Sequence, residues 1–468
     1  MIRAMPGTGV VPVLLADGHL GIIRPLREAD EQALHGLAER SSEESLYRRF
    51  FSAGRTQADA YAHRLCAADD VSARALVLEV EGAVVGMAAA EDVEPGVAEV
   101  AFMVEDAMQG HGVGTLLLTN LAATQRRRGV TTFEAEVLGH NVPMLRVFVD
   151  AGYTVVRHND GGIATVQMAT EVTDTTLEAM DARERQAEAQ SLRPLLAPRT
   201  VAVVGAGRRR GGIGREVLEN VLAGGFTGQV VAVNPATHAI GAVASYPDLG
   251  SVPDRVDLAV VAVPAPRLAE VVDDACHSHV GAMVILSAGL AEAGPSGRSA
   301  QQDMVAHALT GGLRVVGPNC LGVLNTASDV RLNATFGCIQ PPPGGVAIGV
   351  QSGGVGIALV DAARHVGLGV SVLVSLGNKA DVSSNDLLAA WTDDPEVTAA
   401  VLYLESFGNP AKFARLASRF SRRKPLLAVR AGTSEAGRLA GKSHTAGAIT
   451  SATGVDALFA ATGVIAVD

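Results

Sequence analysis

The stretch VAEVAFMVEDAMQGHGVGTLLLTNLAATQ, residues 97–125, decides the fold of the first part of the chain. Apolar residues alternate with others from Val97 to Val104, which is the pattern of a half-buried β-strand. A glycine-rich turn and an apolar helical segment, Thr115–Gln125, follow directly. Glycine costs ~1 kcal/mol relative to alanine inside a helix. Several glycines directly before a helix therefore indicate a main chain that has to remain accessible. Because the first amides of a helix bind anions, the turn predicts a pyrophosphate site, and the alternative is a tight corner without a ligand.

The composition excludes several classes of protein. A chain of 468 residues predicts more than one domain, and its net charge of −11 with 4% aromatic residues argues against nucleic-acid binding. No apolar run approaches the ~20 residues of a membrane span. The four cysteines lack the spacing of metal ligands and are expected to be reduced thiols: Cys66, Cys276, Cys320 and Cys338. We expect a cytoplasmic protein without a metal site, a nucleic-acid partner or a membrane partner, and its oligomeric state stays open.

Differences in composition and in residue pattern divide the chain into four segments. Residues 18–170 mix charges with short strands and helices, and residues 171–193 are polar and rich in helix formers. The latter predict a solvated linker helix with Asp174 as its N-cap. Residues 194–340 and 341–468 alternate apolar strands with helices, which indicates α/β domains with parallel sheets covered on both faces.

Two motifs in residues 20–170 resemble the GNAT family of N-acetyltransferases. Gln109, Gly112 and Gly114 match the Q-x-x-G-x-G pattern of that family, and residues 141–153, NVPMLRVFVDAGY, resemble its second motif. The resemblance implies a GNAT fold with acetyl-CoA as the acyl donor. The residues that it implies in donor binding are Met103, Val104, Gln109, Gly110, His111, Gly112, Val113, Gly114, Thr115 and Asn141.

Acyl transfer to an amine needs a base that removes a proton from the ammonium group. Glu99 lies in the middle of the predicted strand, where related protein-lysine acetyltransferases carry their catalytic glutamate. The alternative is a solvated strand carboxylate, and the weaker candidates for the base are Glu91, Asp92 and Glu94. Phe148 occupies the position where many GNAT enzymes carry a tyrosine as general acid, so we expect water or another group to protonate the thiolate.

Residues 21–51 resemble the N-terminal stretch of GNAT domains that are fused to acyl-CoA synthetase-like modules. The same residues also fit a simple amphipathic helix with aromatic anchors. Both interpretations stay open.

The segment VAVVGAGRRRGGIG, residues 201–214, follows a predicted strand but does not match a dinucleotide fingerprint. Arg210 replaces the third glycine, and the next strand ends at Asn234 rather than at an acidic residue. A longer basic loop suits a ligand with more phosphate groups, such as CoA.

Residues 194–468 resemble the first two domains of NDP-forming acyl-CoA synthetases, relatives of the succinyl-CoA synthetase α-subunit. The motifs are VNP, VP, SAGLAE, GPNCLG, QSGGVG, SLGNKAD, YLES and KSHTAGA. The resemblance implies a Rossmann-like CoA-binding domain, a flavodoxin-like domain, a phosphorylated histidine at His444 and Glu405 as the residue that orients it. The residues that it implies in binding CoA or acetyl-CoA, or a phosphoryl group, are Gly205, Ala206, Gly207, Ile213, Gly214, Asn234, Pro264, Asn319, Gln351, Ser352, Gly353 and Gly354.

Such synthetases also need an ATP-grasp module, and nothing in the 468 residues resembles one. We therefore expect a Pat-type protein-lysine acetyltransferase with a regulatory CoA-binding module, acting on metabolic enzymes such as AMP-forming acyl-CoA synthetases. Two alternatives stay open. The chain is part of a ligase whose ATP-grasp partner is separate, or it is a CoA-responsive binding protein.

Overall fold

The structure is a computed structural model that describes residues 9–52, 55–68, 70–338, 340–431 and 452–467. The chain divides into two compact units, residues 1–187 and residues 188–468. Each unit is described by itself. Across the described residues the predicted α/β class is confirmed.

In the described part of the N-terminal unit, eight strands form one sheet in the order β1-β2-β3-β4-β5-β6-β8-β7. The strands are β1 Val11–Leu14, β2 Leu20–Pro25, β3 Ala75–Val80, β4 Ala83–Glu94, β5 Val97–Val104, β6 Thr132–Leu138, β7 Val155–Asp160 and β8 Ile163–Ala169. The helices are α1 Glu31–Glu39, α2 Glu43–Phe50, α3 Thr56–Cys66, α4 Val71–Arg74, α5 Val113–Arg127 and α6 Val142–Asp150, followed by α7 Asp174–Ser191. Among these strands β5 and β6 pair in parallel and the other neighbours pair antiparallel.

Helices cover both faces of this sheet. On one face, α5 packs Leu117 and Leu121 against Phe102 and Phe133. On the other face, α1 and α3 cover Met103 and its neighbours on β3 and β4. The alternation from Val97 to Val104 buries Ala98, Val100 and Phe102 on the α5 face, as the pattern predicts, whereas the burial of Met103 on the other face is not part of a half-buried pattern.

The helix α7 agrees with the predicted linker helix in position but not in its surroundings. Thr173, rather than Asp174, is its N-cap, since the Thr173 hydroxyl accepts a hydrogen bond from the Thr176 amide at 3.3 Å. Thr176 and Glu188 are buried, at 0% and 1% exposure. The prediction of a solvated helix was therefore wrong at both ends of the helix.

In the described part of the C-terminal unit, the first sheet has the order β11-β12-β10-β9-β13-β14-β15. Its strands are β9 Thr200–Val204, β10 Gln229–Val233, β11 Ala239–Ile240, β12 Val243–Tyr246, β13 Leu258–Val261, β14 Ala282–Ile285 and β15 Arg314–Val316. The helices of this part are α8 Arg193–Leu196, α9 Ile213–Ala223, α10 Leu268–His277 and α11 Pro295–Thr310. The strands β12, β10, β9, β13, β14 and β15 are parallel, which explains their nearly continuous apolar sequences.

The second sheet of this unit has the order β17-β16-β19-β18-β20-β21-β22. Its strands are β16 Gly322–Asn325, β17 Leu332–Thr335, β18 Pro343–Val350, β19 Val370–Ser375, β20 Ala399–Leu404, β21 Leu426–Arg430 and β22 Ile465–Val467. Its helices are α12 Gly353–Val366, α13 Ser384–Thr392, α14 Pro410–Ser421 and α15 Ala452–Thr462. The strands β16 and β17 precede residue 340 in the sequence, yet they pair with this sheet rather than with the first.

Five charged side chains meet in the interior of the C-terminal unit. Arg314 on β15 donates to Glu188 at 3.1 Å and to Asp381 at 2.9 Å. Lys412 on α14 donates to Glu188 at 3.3 Å and to Asp386 at 2.9 Å. Three carboxyl groups thus face two cations, and one carboxyl proton would balance the charge. Burial first, and then Asp386, raises the pKa of Glu188 to about 7, so Glu188 is the group that holds this proton.

Within the described residues, no helix is long and apolar enough to cross a membrane. That part of the chain also contains no group of three or more side chains suited to a metal ion. All four cysteines are free.

Candidate functional site

The strand β5 and its parallel neighbour β6 separate after three paired positions. Residues 97–99 lie opposite residues 132–134, yet β5 runs on to Val104 and β6 to Leu138. Beyond Glu99 the facing main-chain groups of the two strands are therefore not paired with each other. Such a gap admits an extended ligand between the strands.

The glycine-rich turn lies between β5 and α5, and its glycines serve two purposes. Gly110 and Gly112 each have a φ of +84°, which favours glycine. A Cβ atom at Gly110 would meet nothing within 4 Å, and one at Gly112 would meet Ala16 at 3.8 Å, so the turn is open to a ligand. A Cβ atom at Gly114 would lie 3.2 Å from Val147, so this glycine lets α6 pack closely.

The glycine-rich turn leads directly into the first turn of α5, whose main-chain amides lie at the N-terminus of the helix. The helix begins at Val113, with Gly112 as its N-cap. Val113 and Thr115 are buried and fix the helix end in the core. Met103 is also buried and Val104 is half-buried, and both lie on β5 beyond the point where the strands separate. A bare turn, a free helix N-terminus and a gap between strands fit the diphosphate and the extended arm of acetyl-CoA.

Two polar residues that are predicted to bind the donor, Gln109 and His111, also hold the glycine-rich turn in place through hydrogen bonds. The Gln109 amide donates to Asp106 and to the Ser45 hydroxyl, each at 3.1 Å. The ring of His111 is hydrogen-bonded to the carboxylate of Asp17. The side chains of this turn are thus held before any ligand binds.

On α6, the Asn141 side chain accepts a hydrogen bond from the Met144 amide at 3.3 Å. Asn141 therefore caps the helix. Its direct contact with a donor stays a prediction.

Glu99 is exposed at the last paired position of β5, where the gap begins. Its cross-strand neighbours are Glu91 and Glu134, so three carboxylates form a row on one face of the sheet. Arg64 holds Glu91 through two hydrogen bonds of 3.1 and 3.0 Å, and Gln167 donates to Glu134 at 2.8 Å. Among the described residues, the carboxylate of Glu99 has no hydrogen-bond or ion-pair partner. It is therefore the carboxylate of the row that is available to a substrate.

Phe148 belongs to the core of the N-terminal unit. It is 1% exposed and contacts Phe102 edge to face, with 6.1 Å between ring centroids. No proton donor stands at this position. Tyr153 is also buried, and burial raises the pKa of its hydroxyl.

In the C-terminal unit, the predicted CoA residues collect at the carboxyl ends of β9, β10 and β13. The chain passes from β9 to one neighbouring strand and later to the other, so this edge is a topological switch point, where open α/β sheets bind ligands. A Cβ atom at Gly205 would lie 2.6 Å from the Ala262 carbonyl oxygen, and one at Gly214 would lie 2.8 Å from the Gly205 carbonyl oxygen. Both glycines thus allow close packing. Between them, Ala206 is buried and Gly207 is half-buried.

Side chains around the same edge hold its loops. Asn234 donates to the Ala206 carbonyl oxygen at 2.7 Å, and Arg208 donates to Thr237 at 3.0 Å. Ile213 and Pro264 are exposed at the rim. Asn319 lies in the loop before β16 with a φ of +58°; its side chain donates to Asn378 at 3.4 Å and its main-chain amide donates to the Ser287 carbonyl oxygen at 3.0 Å.

The turn of residues 351–354 leads from β18 into α12, with Ser352 as N-cap and Gly353 as the first helical residue. The buried Gln351 side chain does not face outward. Its carbonyl oxygen accepts from the amides of Glu405 and Ser406 at 2.9 and 3.0 Å, and its amide donates to the Ser406 carbonyl oxygen at 2.8 Å. Gln351 therefore joins two strand ends, and the exposed Gly354 with the half-buried Gly353 leaves the helix end open.

Lys379 lies at the same place and was missed by the sequence analysis, although the SLGNKAD motif contains it. Its ammonium donates to the Ser406 carbonyl oxygen at 2.6 Å and also to the Ser406 hydroxyl. Burial lowers the pKa of Lys379 to about 8, while the nearby charge of Glu405 acts in the opposite direction. His444 lies outside the described residues, so the predicted pairing of His444 with Glu405 stays a prediction.

Comparisons with known families agree with these three regions. The Acetyltransferase (GNAT) family matches residues 41–153, a CoA binding domain matches residues 199–326, and a Succinyl-CoA ligase like flavodoxin domain matches residues 343–468.

Similar proteins fall into two groups. Over 271 residues the chain is 36% identical to the ADP-forming acetate–CoA ligase I of Archaeoglobus fulgidus, covering 58% of this chain and 39% of that protein. Over 161 residues it is 35% identical to the acetyltransferase Pat of Mycolicibacterium smegmatis, covering 33% of this chain and 47% of that protein. A solved structure of dinucleotide forming acetyl-coenzyme A synthetase 1 from Ca. Korarchaeum cryptofilum, in complex with phosphate and ADP, has a TM-score of 0.57 at 36% identity, covering 59% of each chain.

The chain thus spans less than two thirds of each of these proteins. The families predicted from its motifs are confirmed. The chain therefore combines a domain of the GNAT acetyltransferase family with a CoA-binding domain and a succinyl-CoA ligase-like flavodoxin domain.

Proposed function

We propose that the protein is an acetyl-CoA-dependent lysine N-acetyltransferase whose CoA-binding module tunes the transfer. The observation that carries the proposal is the position of Glu99, an available carboxylate at the start of the gap between β5 and β6. The similarity to the acetyltransferase Pat supports a protein lysine as the acceptor. Acyl-CoA synthetases of the AMP-forming class are the acceptors that we would test first.

The chain's own residues supply two parts of the chemistry. The open turn at Gly110 and Gly112 and the first amides of α5 hold the donor's diphosphate. A free lysine has a pKa of about 10.4, so at neutral pH it arrives as an ammonium ion that cannot attack a thioester. Glu99 accepts that proton, directly or through one water molecule, and the amine becomes the nucleophile. Phe148 offers no proton to the departing thiolate, so water or another group supplies it.

The test replaces Glu99 by glutamine, which keeps the size of the side chain and removes the base. We expect the rate of lysine acetylation at pH 7 to fall at least about 100-fold, as is typical for the loss of a general base. Binding of acetyl-CoA should change little, because Glu99 lies outside the glycine-rich turn. Part of the rate should return above pH 9, where the acceptor amine loses its proton without help.

The matched control is Glu134→Gln on the neighbouring strand. Glu134 is the register partner of Glu99 but is already occupied by Gln167. Its replacement should leave the rate within about threefold. A Glu99→Gln variant with the full rate at pH 7 would transfer the role of base to another group, with Glu91 and Asp92 as the next candidates.

A second candidate function rests on the C-terminal unit. Its similarity to ADP-forming acetate–CoA ligases and the Lys379–Ser406–Gln351 arrangement at the start of α12 support a phosphoryl-handling half of such a ligase. In that case the complete reaction would need a separate ATP-grasp partner. The two functions differ in their first measurable product, an acetylated lysine or a phosphorylated histidine.

A further inference from the structure

The turn between β1 and β2 contacts the glycine-rich turn at two points. The Ala16 amide donates to the His111 carbonyl oxygen at 2.9 Å. The Asp17 carboxylate is hydrogen-bonded to Nδ1 of the His111 ring. The side chains of Asp17 and His111 are 30% and 37% exposed, so this contact is partly shielded from water. Residues 94 positions apart in the sequence are therefore joined at the mouth of the predicted diphosphate site.

The backbone contact fixes the direction of one amide. The peptide bond between His111 and Gly112 is trans, because among the described residues the structure has its cis bond at Gly317–Pro318. In a trans peptide the carbonyl group and the next N–H group point in opposite directions. Since the His111 carbonyl points to Ala16, the Gly112 N–H points away from the β1–β2 turn, towards the open side of the glycine-rich turn.

The side-chain contact fixes the direction of the ring. With Nδ1 bonded to Asp17, the other ring nitrogen, Nε2, faces away from that carboxylate. Nε2 has no hydrogen-bond partner among the described residues.

Asp17 is itself held in place. The His19 amide donates to its carboxylate at 3.1 Å, and the Leu15 amide donates to the His19 carbonyl oxygen at 2.9 Å across a turn in which Gly18 has a φ of +88°. Burial acts to raise the pKa of Asp17, but the hydrogen bonds from His19 and His111 outweigh it and hold this pKa below its usual value. Asp17 is therefore an ionised carboxylate in a rigid turn.

We propose that Asp17 is a positioning residue for the donor's diphosphate, acting through His111 from outside the GNAT motif. It turns the Nε2 edge of the His111 ring towards the phosphate oxygens, beside the Gly112 amide that the β1–β2 turn also orients. The inference rests on acetyl-CoA being the donor in the proposed function. It makes the β1–β2 turn part of the donor site.

The test compares two donors on the full-length chain. Acetyl-CoA carries the diphosphate, whereas acetyl-pantetheine has the same thioester and arm without it. Hydrogen–deuterium exchange reports each binding event locally, at residues 110–116 for acetyl-CoA and at residues 100–104 for both donors. A second CoA site elsewhere in the chain therefore does not disturb the measurement.

In Asp17→Ala, we expect the acetyl-CoA concentration for half-protection to rise about tenfold, the size expected for one charge-assisted hydrogen bond. The value for acetyl-pantetheine should stay within twofold. Asp17→Asn keeps an acceptor for the ring but loses the charge, and should give a smaller rise. His19→Gln keeps the backbone bond to Asp17 and replaces the ring nitrogen that lies 3.1 Å from its carboxylate by an uncharged amide; it is the matched control, with both values within twofold of the unchanged chain.

Equal losses for the two donors, or no loss for either, would overturn the inference. Equal losses would show that Asp17 acts on the fold of the unit and not on the diphosphate. If acetyl-CoA protects the unchanged chain but no lysine is acetylated, the proposed function fails and the inference stands. If acetyl-CoA gives no protection at residues 110–116 of the unchanged chain, both fail together.

Discussion

Replacing Glu188 by glutamine should change how the stability of the C-terminal unit depends on pH. Glu188 is 1% exposed and shares Arg314 and Lys412 with two other carboxylates. Burial first, and then the neighbouring charge of Asp386, raises its pKa from 4.5 to about 7. Glutamine has nearly the same shape, keeps one acceptor oxygen and one donor group, as a protonated carboxyl group does, and cannot ionise.

The sign and the size follow from this shift. Below pH 4.5 the carboxyl group is protonated in the folded and the unfolded chain, and its stabilising effect is fully present. Between pH 4.5 and 7 the unfolded chain releases the proton while the folded chain keeps it, so the free energy of unfolding falls as the pH rises. At 1.36 kcal/mol per pKa unit, the loss amounts to about 3 kcal/mol by pH 8. Glu188→Gln should therefore be close to the unchanged chain at pH 5 and up to about 3 kcal/mol more stable at pH 8.

The assay uses the sequence's single tryptophan, Trp391, which is 1% exposed on α13 of the same unit. Urea unfolding followed by its fluorescence at pH 5, 6, 7 and 8 reports on this unit alone. Glu178→Gln, an exposed change on the same helix, is the matched control and should give curves parallel to the unchanged chain. Parallel curves for Glu188→Gln as well would refute the reasoning, because they would show that Glu188 does not titrate in this range.

Three further experiments test the other regions of the chain. Gly214→Ala should destabilise the C-terminal unit by about 1–3 kcal/mol in urea unfolding, because its Cβ atom would lie 2.8 Å from the Gly205 carbonyl oxygen, whereas Gly212→Ala, with open space around it and a φ of −93°, should cost less. Calorimetry on the full chain should resolve two CoA-type sites, and a single site that disappears in Gly112→Asp would contradict a CoA-binding module. Acetyl phosphate should slowly give an acid-labile, base-stable label that is lost in His444→Ala, while strong labelling by ATP with magnesium would favour the ligase function.

The local elements were predictable from the sequence because their signals are local. Residues 97–104 alternate in the sequence and form β5 with the same bounds. The glycines before α5 have the positive φ angles that their residue type allows. The same holds for the apolar parallel strands, whose sequences require burial on both faces.

The long-range contacts could not be predicted in this way. The sequence of α7 is polar, so it predicts that Glu188 is exposed to solvent. Its partners Arg314 and Lys412 lie 126 and 224 residues away in the sequence. The role of Gln351 in joining two strand ends was also hidden, because a buried glutamine and a ligand-binding one look alike in a motif. Only the fold brings such partners together.

The early separation of β5 from β6 has a consequence for substrate selection. Past Glu99 the two strands behave as the open edges of an unfinished sheet, and the amide groups of the donor's arm can complete the ladder as an added strand would. Main-chain atoms make those bonds, so they are indifferent to the side chains of β5 and β6 and to the acyl group that the arm carries. If the donor of the proposed function binds there, selection among acyl groups depends on the side chains at the closed end of the gap, where Glu99 and Glu134 are the last paired residues.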